Sequence, residues 1–227
     1  MNFKFKKEKL FFISLFVVLG FIALQIPINQ LAGSRVKFTL FDLLAPISGA
    51  IIGTPLGVIS VLAIQIVNLL IHGASAIEKG SIIRLFPTLF AVWFFAKKDG
   101  RQLLIPILAM ISFNLNPVGR SVWFYSLFWL MPLITYPFKE RFLLLRSLGS
   151  TFTAHAVGGA IWIWAFNLPP NVWVSLIPVV ILERGLFALG ISASYIVFNN
   201  LLAVLTKQKI LTNAFSLDKK YLLRFLK

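Results

Sequence analysis

The sequence predicts an all-α, polytopic integral membrane helix bundle of about six transmembrane helices, within a range of six to eight. Three observations predict it. The chain is 59% hydrophobic and 13% charged, with a mean hydropathy of +0.89, whereas soluble domains sit near about 45–50% apolar and 25% charged. Several of its apolar runs reach the ~20 residues a helix needs to cross a bilayer. Finally, most of its 22 Lys+Arg, against 7 Asp+Glu, cluster in short loops and tails between those runs, as in the cytoplasmic loops of membrane proteins. All 227 residues fit one transmembrane domain, with a basic cytoplasmic segment over 1–9 and a basic cytoplasmic tail over 207–227.

Each element has its own reason. Lys4, Lys6, Lys7 and Lys9 hold the N-terminus in the cytoplasm, and a first helix runs from about 9 to 28, ended by Pro27. This run exceeds the about 7–15 residues of a signal-peptide core, and no small-x-small site follows closely, so it reads as a retained helix. The loop from Asn29 to Lys37 then lies outside, carrying Arg35 and Lys37 against the charge rule. Residues 40–72 read as two short apolar pieces broken at Thr54-Pro55 and closed by His72-Gly73; short or broken helices occur where they line a cavity. Ser81 to Ala96 is the next span, followed by the basic loop of Lys97, Lys98 and Arg101. Leu103 to Phe113 is short and is broken by Asn114-Leu115-Asn116-Pro117. A span rich in Trp and Phe covers 121–138, and Lys139, Arg141 and Arg146 mark a second cytoplasmic loop. Residues 147–167 span again and close at an uncharged outer turn ending in Asn171. The run from Trp173 to Leu205 is long enough to span with tilt. An even number of crossings leaves both termini cytoplasmic.

Composition also excludes. A net charge of +15 would suggest nucleic acid in a soluble protein. Here it is assigned to the positive-inside pattern and to anionic lipid, so the bilayer is a partner and nucleic acid is not. The chain has no cysteine, hence no thiol nucleophile or thiolate metal site. With only His72 to accompany His155, no metal and no cofactor are expected. There is no phosphate loop, no Gly-x-Ser-x-Gly elbow, no His-Glu-x-x-His and no paired intramembrane acids of the protease type, so the chain does not itself hydrolyse ATP and is not read as an enzyme.

The chemistry resides in polar residues inside apolar runs. Asp42 opens the stretch 38–57, where Gly49, Gly53 and Gly57 recur every fourth position. On a continuous helix these stack on one face for close helix packing, and Asp42 falls within about 20° of Gly49 and Gly53. An intramembrane charge is costly unless paired or hydrated. Arg84 lies at a similar depth, and a cross-helix Asp42–Arg84 pair serves either a ligand or helix register. Arg120 follows the Asn-rich break, as a ligand contact or a snorkelling arginine. His155 shares a helix face with Trp162, suited to hydrogen bonding and stacking on a flat organic ligand or to packing alone. Glu183 and Arg184 sit near mid-depth of the last run. Being about 100° apart on a helix, they are expected to need partners from other helices. Asn199-Asn200 reads as interhelical glue. Arg84, Arg120 and Arg184 outnumber Asp42 and Glu183 by one, which hints at a carboxylate- or phosphate-bearing ligand.

The stretches Phe41-Asp-Leu-Leu-Ala-Pro46 and Gly53-Thr-Pro-Leu-Gly57, the span with Arg84 and Pro87, the helix His155-Ala-Val-Gly-Gly159 and the last helix with Glu183 together resemble the substrate-binding S components of energy-coupling factor (ECF) vitamin transporters. The resemblance covers most of the chain through loose motifs. It implies a six-helix protein of the cell membrane, multi-pass, with a small-molecule substrate cavity near the outer face capped by the loop after helix one. It also implies a transmembrane coupling subunit and two ATP-binding-cassette ATPases as partners. The Ala-x-x-x-Ala that such proteins often carry on helix one is missing; among the features above, that spacing occurs at Ala156–Ala160.

The expected function is therefore capture of a small, vitamin-like organic solute for uptake, with Asp42, Arg84, Arg120, His155, Trp162, Glu183 and Arg184 as contacts. Two readings stand beside it: a membrane-embedded enzyme acting on lipid or a prenyl chain, and a structural membrane subunit in which the buried charges only set helix pairing.

Overall fold

The computed structural model describes residues 7–30, 37–72, 78–209 and 217–226, with the backbone alone for 7–12. Arg35 and Gly73 lie outside the described residues. The described chain is all-α apart from one small hairpin. Helix α1 spans Lys7–Leu24. It stops short of Pro27, which instead opens strand β1, Pro27–Gln30, paired antiparallel with β2, Lys37–Thr39. The two ends of the expected outer loop are thus paired as short antiparallel strands, a hairpin whose connecting residues 31–36 lie outside the described residues. Its strands are too short for any periodicity to be legible in the sequence.

The stretch expected as one helical face is folded back on itself. Helix α2 (Phe41–Leu44), a 3-10 turn over Ala45–Ile47 and α3 (Ser48–Ile52) run in one direction, and α4 (Thr54–His72) returns. The break falls at Gly53, where φ is +94° and ψ 142°, a region open to glycine alone. Gly49 and Gly57 then face one another across the hairpin instead of stacking along one helix. A Cβ on Gly57 would lie 2.5 Å from the Gly49 nitrogen, so only glycine lets α3 and α4 touch. Because the break comes this early, α4 has 19 residues and is a full candidate span, not a short piece.

Helices α5 (Lys79–Arg84) and α6 (Pro87–Ala96) form the next apolar unit, turned at Pro87. Helix α7 (Leu104–Leu115) ends where Asn116 caps α8 (Pro117–Ser121), its side chain accepting from the Val118 and Gly119 amides. The aromatic span is irregular: a 3-10 helix over Trp123–Leu130, α9 (Met131–Thr135) and a 3-10 turn over Tyr136–Phe138. Helix α10 (Leu143–Phe166) is the most central, packing on α6, α7 and α11. Its small residues Ser147, Ser150, Thr151 and Thr153 are buried, and the Ser150 hydroxyl donates to the Ala91 carbonyl at 2.8 Å. Helix α11 (Pro170–Lys207) has 38 residues, about 57 Å at 1.5 Å per residue and longer than a ~30 Å hydrocarbon core.

Among the described residues, three helical stretches are long and apolar enough to cross a membrane: Thr54–His72, Lys79–Ala96 and Pro170–Lys207. Exposed Leu and Ile side chains cover the outward faces of α4, α7 and α11, among them Leu70, Leu108 and Leu182, a surface suited to lipid. The basic loops converge at one pole. Lys139 Nζ donates to the Phe94 carbonyl at 2.6 Å and also to that of Lys97, and Arg146 Nε donates to the Phe95 carbonyl at 2.6 Å. Two cations thereby satisfy the orphan carbonyls at the C-terminal end of α6. Asn199 and Asn200 grip a different partner from the one expected. Among the described residues they bond to no other long helix. Instead they exchange backbone hydrogen bonds with Asp218, Tyr221 and Leu223 of the returning tail.

Candidate functional site

Beneath the hairpin, α2, α5, α6, α10 and α11 line a half-open cavity of about 350 Å³. Six of the seven expected contacts line it: Asp42, Arg84, His155, Trp162, Glu183 and Arg184. Most of the remaining wall is apolar, supplied by residues such as Pro46, Ile83, Leu176 and Val180.

The charges form two pairs. Arg84 Nη2 meets Asp42 Oδ2 at 2.5 Å, and the same carboxylate oxygen accepts from the Thr39 amide at 2.8 Å. The backbone turn that starts α2 thus aims Asp42 inward. Arg184 Nη2 meets Glu183 Oε2 at 3.0 Å. Adjacent positions on one helix do pair here, against expectation: the long arginine side chain bends back along α11 and recovers the angular separation. Each member has a second partner from another element as well. Glu183 accepts from the Asn29 side-chain amide of β1, and Arg184 Nη1 donates to Thr151 Oγ1 of α10 at 3.2 Å.

The hairpin is fastened by these same groups. The Lys37 carbonyl accepts from Arg84 Nη1. The Phe38 ring has the Arg84 guanidinium 5.2 Å from its centroid and that of Arg184 at 4.8 Å, and it meets Phe187 edge-on at 5.2 Å. One aromatic ring therefore joins both ion pairs through cation–π contacts. Arg84 also borders a second, more polar hollow of about 500 Å³ between the hairpin and α4, where Gln65 and Asn68 contribute.

His155 has both ring nitrogens engaged. Trp129 Nε1 donates to its Nδ1 at 3.1 Å, and Nε2 lies 3.1 Å from the Tyr125 hydroxyl. Trp162 stacks on Phe166 with centroids 4.2 Å apart, so it is braced as part of the wall.

Arg120 stands apart. It is exposed on the short α8, its Nε 3.5 Å from the Asn114 carbonyl, and it does not line the cavity. Without it, two arginines meet two acids and the excess of cations disappears. Sequence reasoning missed Phe38, Tyr125, Thr151 and Trp173. Tyr125 and Trp173 sit among many other aromatics, and no local signal separates a cavity ring from a lipid-facing one.

No family model matches the chain, and no solved structure matches it. The chain is similar to the uncharacterized protein MJ0923 of Methanocaldococcus jannaschii, 25% identical over 238 aligned positions that cover 96% of this chain and 78% of the relative. That similarity spans nearly the whole chain and carries no functional name.

Proposed function

We propose that this protein captures a small organic solute from outside the cell membrane for uptake, as the S component of an energy-coupling factor transporter does, with energy supplied by separate ATPase subunits through a transmembrane coupling partner. The observation that carries this reading is the convergence of Asp42, Arg84, His155, Trp162, Glu183 and Arg184 on one largely apolar, hairpin-covered cavity. Enclosed apolar volume with a few fixed polar groups is the usual form of a small-molecule site. The arrangement of charge supports the orientation. The loops with Lys97, Lys98, Lys139 and Arg141, together with the tail at Lys220, are joined at one pole. The hairpin and cavity lie away from that pole, so basic-side-in leaves the cavity facing outward. In this reading the chain crosses the membrane about six times, α11 passes through it with both ends protruding, and both termini are cytoplasmic.

The solute-capture reading is tested by native mass spectrometry of gently purified protein. A bound small molecule is expected on the native chain. Glu183→Gln, which leaves Arg184 without its counter-ion, is expected to lose it. Retention of the same molecule by Glu183→Gln removes that carboxylate from the site. Absence of any small molecule or ATPase partner from the native protein favours a purely structural subunit.

A further inference from the structure

Three residues of the cavity wall, Tyr125, Trp173 and Arg184, carry hydrogen-bond donors whose pairing is incomplete. An indole N–H can only donate. Trp129 Nε1 donates to His155 Nδ1, so Nδ1 carries a lone pair and the proton of the neutral imidazole resides on Nε2. That N–H must donate to the Tyr125 hydroxyl oxygen, 3.1 Å away. The hydroxyl hydrogen of Tyr125 is then left over, and no second partner for it occurs among the described residues. Two further donors nearby lack acceptors: the indole Nε1 of Trp173 and the Nε of Arg184. Tyr125, Trp173 and Arg184 all line the cavity, and the Tyr125 and Trp173 rings meet edge-on at 5.1 Å. Both Tyr125 and Arg184 are 2% exposed. Buried donors left unpaired are costly and call for an explanation.

The charge inventory narrows the acceptor. Arg84 and Asp42 cancel, as do Arg184 and Glu183, and the imidazole is neutral. An incoming anion would leave a net charge in a largely apolar, half-open cavity, which is unfavourable without a counter-ion. An uncharged acceptor pairs with the donors and leaves the balance intact.

We infer that the solute is a flat, uncharged molecule whose carbonyl oxygen or ring nitrogen is gripped by the Tyr125 hydroxyl, with Trp173 beside it, and that the Trp129–His155 relay keeps Tyr125 a donor. This rests on the solute-capture reading and makes Tyr125 a determinant of specificity. A site whose buried donors must be paired rejects analogues that cannot pair them.

The test is equilibrium dialysis of the full-length protein in lipid nanodiscs, against empty nanodiscs, with three probes sharing one ring system: 2-naphthamide, 2-naphthoate and 2-ethylnaphthalene. The amide is expected to bind about tenfold or more tightly than the carboxylate. Tyr125→Phe is expected to weaken the amide about tenfold, the worth of one good hydrogen bond, while leaving 2-ethylnaphthalene unchanged. That unchanged binding also shows the variant to be folded. Should Tyr125→Phe lose all three probes together, Trp173→Phe carries the same comparison. Equal or tighter binding of the carboxylate overturns the proposed solute class. Amide binding indifferent to both substitutions overturns the role of the donors. No binding of any probe to the native protein, with no co-purifying molecule, overturns the solute-capture reading beneath them.

Discussion

Replacing Asp42 by Asn removes one charge from the Asp42–Arg84 pair while keeping its shape. The two side chains are 12% and 13% exposed, so the guanidinium left behind has little water to turn to. It retains the Lys37 carbonyl and the Phe38 ring, neither of which cancels a charge. Breaking a buried pair from one side costs about 3–5 kcal/mol, and partial exposure places this one near about 3 kcal/mol. For a chain of this length that is a fall in melting temperature of about 6–12 °C. Arg84→Gln is expected to cost less, because Asp42 keeps the Thr39 amide and hydroxyl as donors. The double variant Asp42→Asn/Arg84→Gln is expected to be no less stable than Asp42→Asn alone, since no orphan charge remains. Thermal melting in one detergent, followed by tryptophan fluorescence, measures all four proteins. If the two single losses simply add in the double variant to within about 0.5 kcal/mol, the side chains are not coupled and the pair as described does not exist in the protein.

Three further outcomes are expected. Gly57→Ala should lower the melting temperature more than Gly53→Ala: the added methyl of the first meets the Gly49 backbone at 2.5–2.6 Å, whereas that of the second meets nothing within 4 Å and costs only its positive φ, about 1–3 kcal/mol. Burial at the basic pole, reinforced by the nearby Arg146 charge, lowers the Lys139 ammonium from 10.5 to about 8. The folded state therefore holds that proton less tightly than the unfolded state, and stability contributed by Lys139 rises as pH climbs from about 8 to 10.5; the melting temperature of native protein minus that of Lys139→Met should rise over that interval, and a constant difference contradicts the burial. Asn199→Ala/Asn200→Ala should release the tail, seen as lost hydrogen-exchange protection at the amides of Asp218 and Leu223, which donate to those two side chains.

The polar residues embedded in apolar runs were legible as a set. A charge inside a membrane span has few physical excuses, so Asp42, Arg84, Glu183 and Arg184 stand out without any knowledge of neighbours. Their partners were less legible. Asp42 with Arg84 follows from similar depth, but the Glu183–Arg184 contact depends on how an arginine side chain bends, which helical angles do not describe. The Gly49, Gly53 and Gly57 series was read as one helical face because a four-residue period is the same whether the chain runs straight or doubles back. The sign of φ at Gly53 decides between the two, and it is not a property of spacing.

By itself the sequence determined that this is a helical protein of a lipid environment and that its ionic side chains need company, because hydrophobicity and the cost of a lone charge are local quantities. The tertiary structure alone decided that the strands flanking the first loop pair and are fastened to both ion pairs, that Arg120 is left outside, and that Tyr125 and Trp173 join the same cavity wall. Those facts depend on which surfaces meet after α2–α4 fold back and α10 enters the middle of the bundle, and meetings between distant segments leave no mark on either segment taken alone.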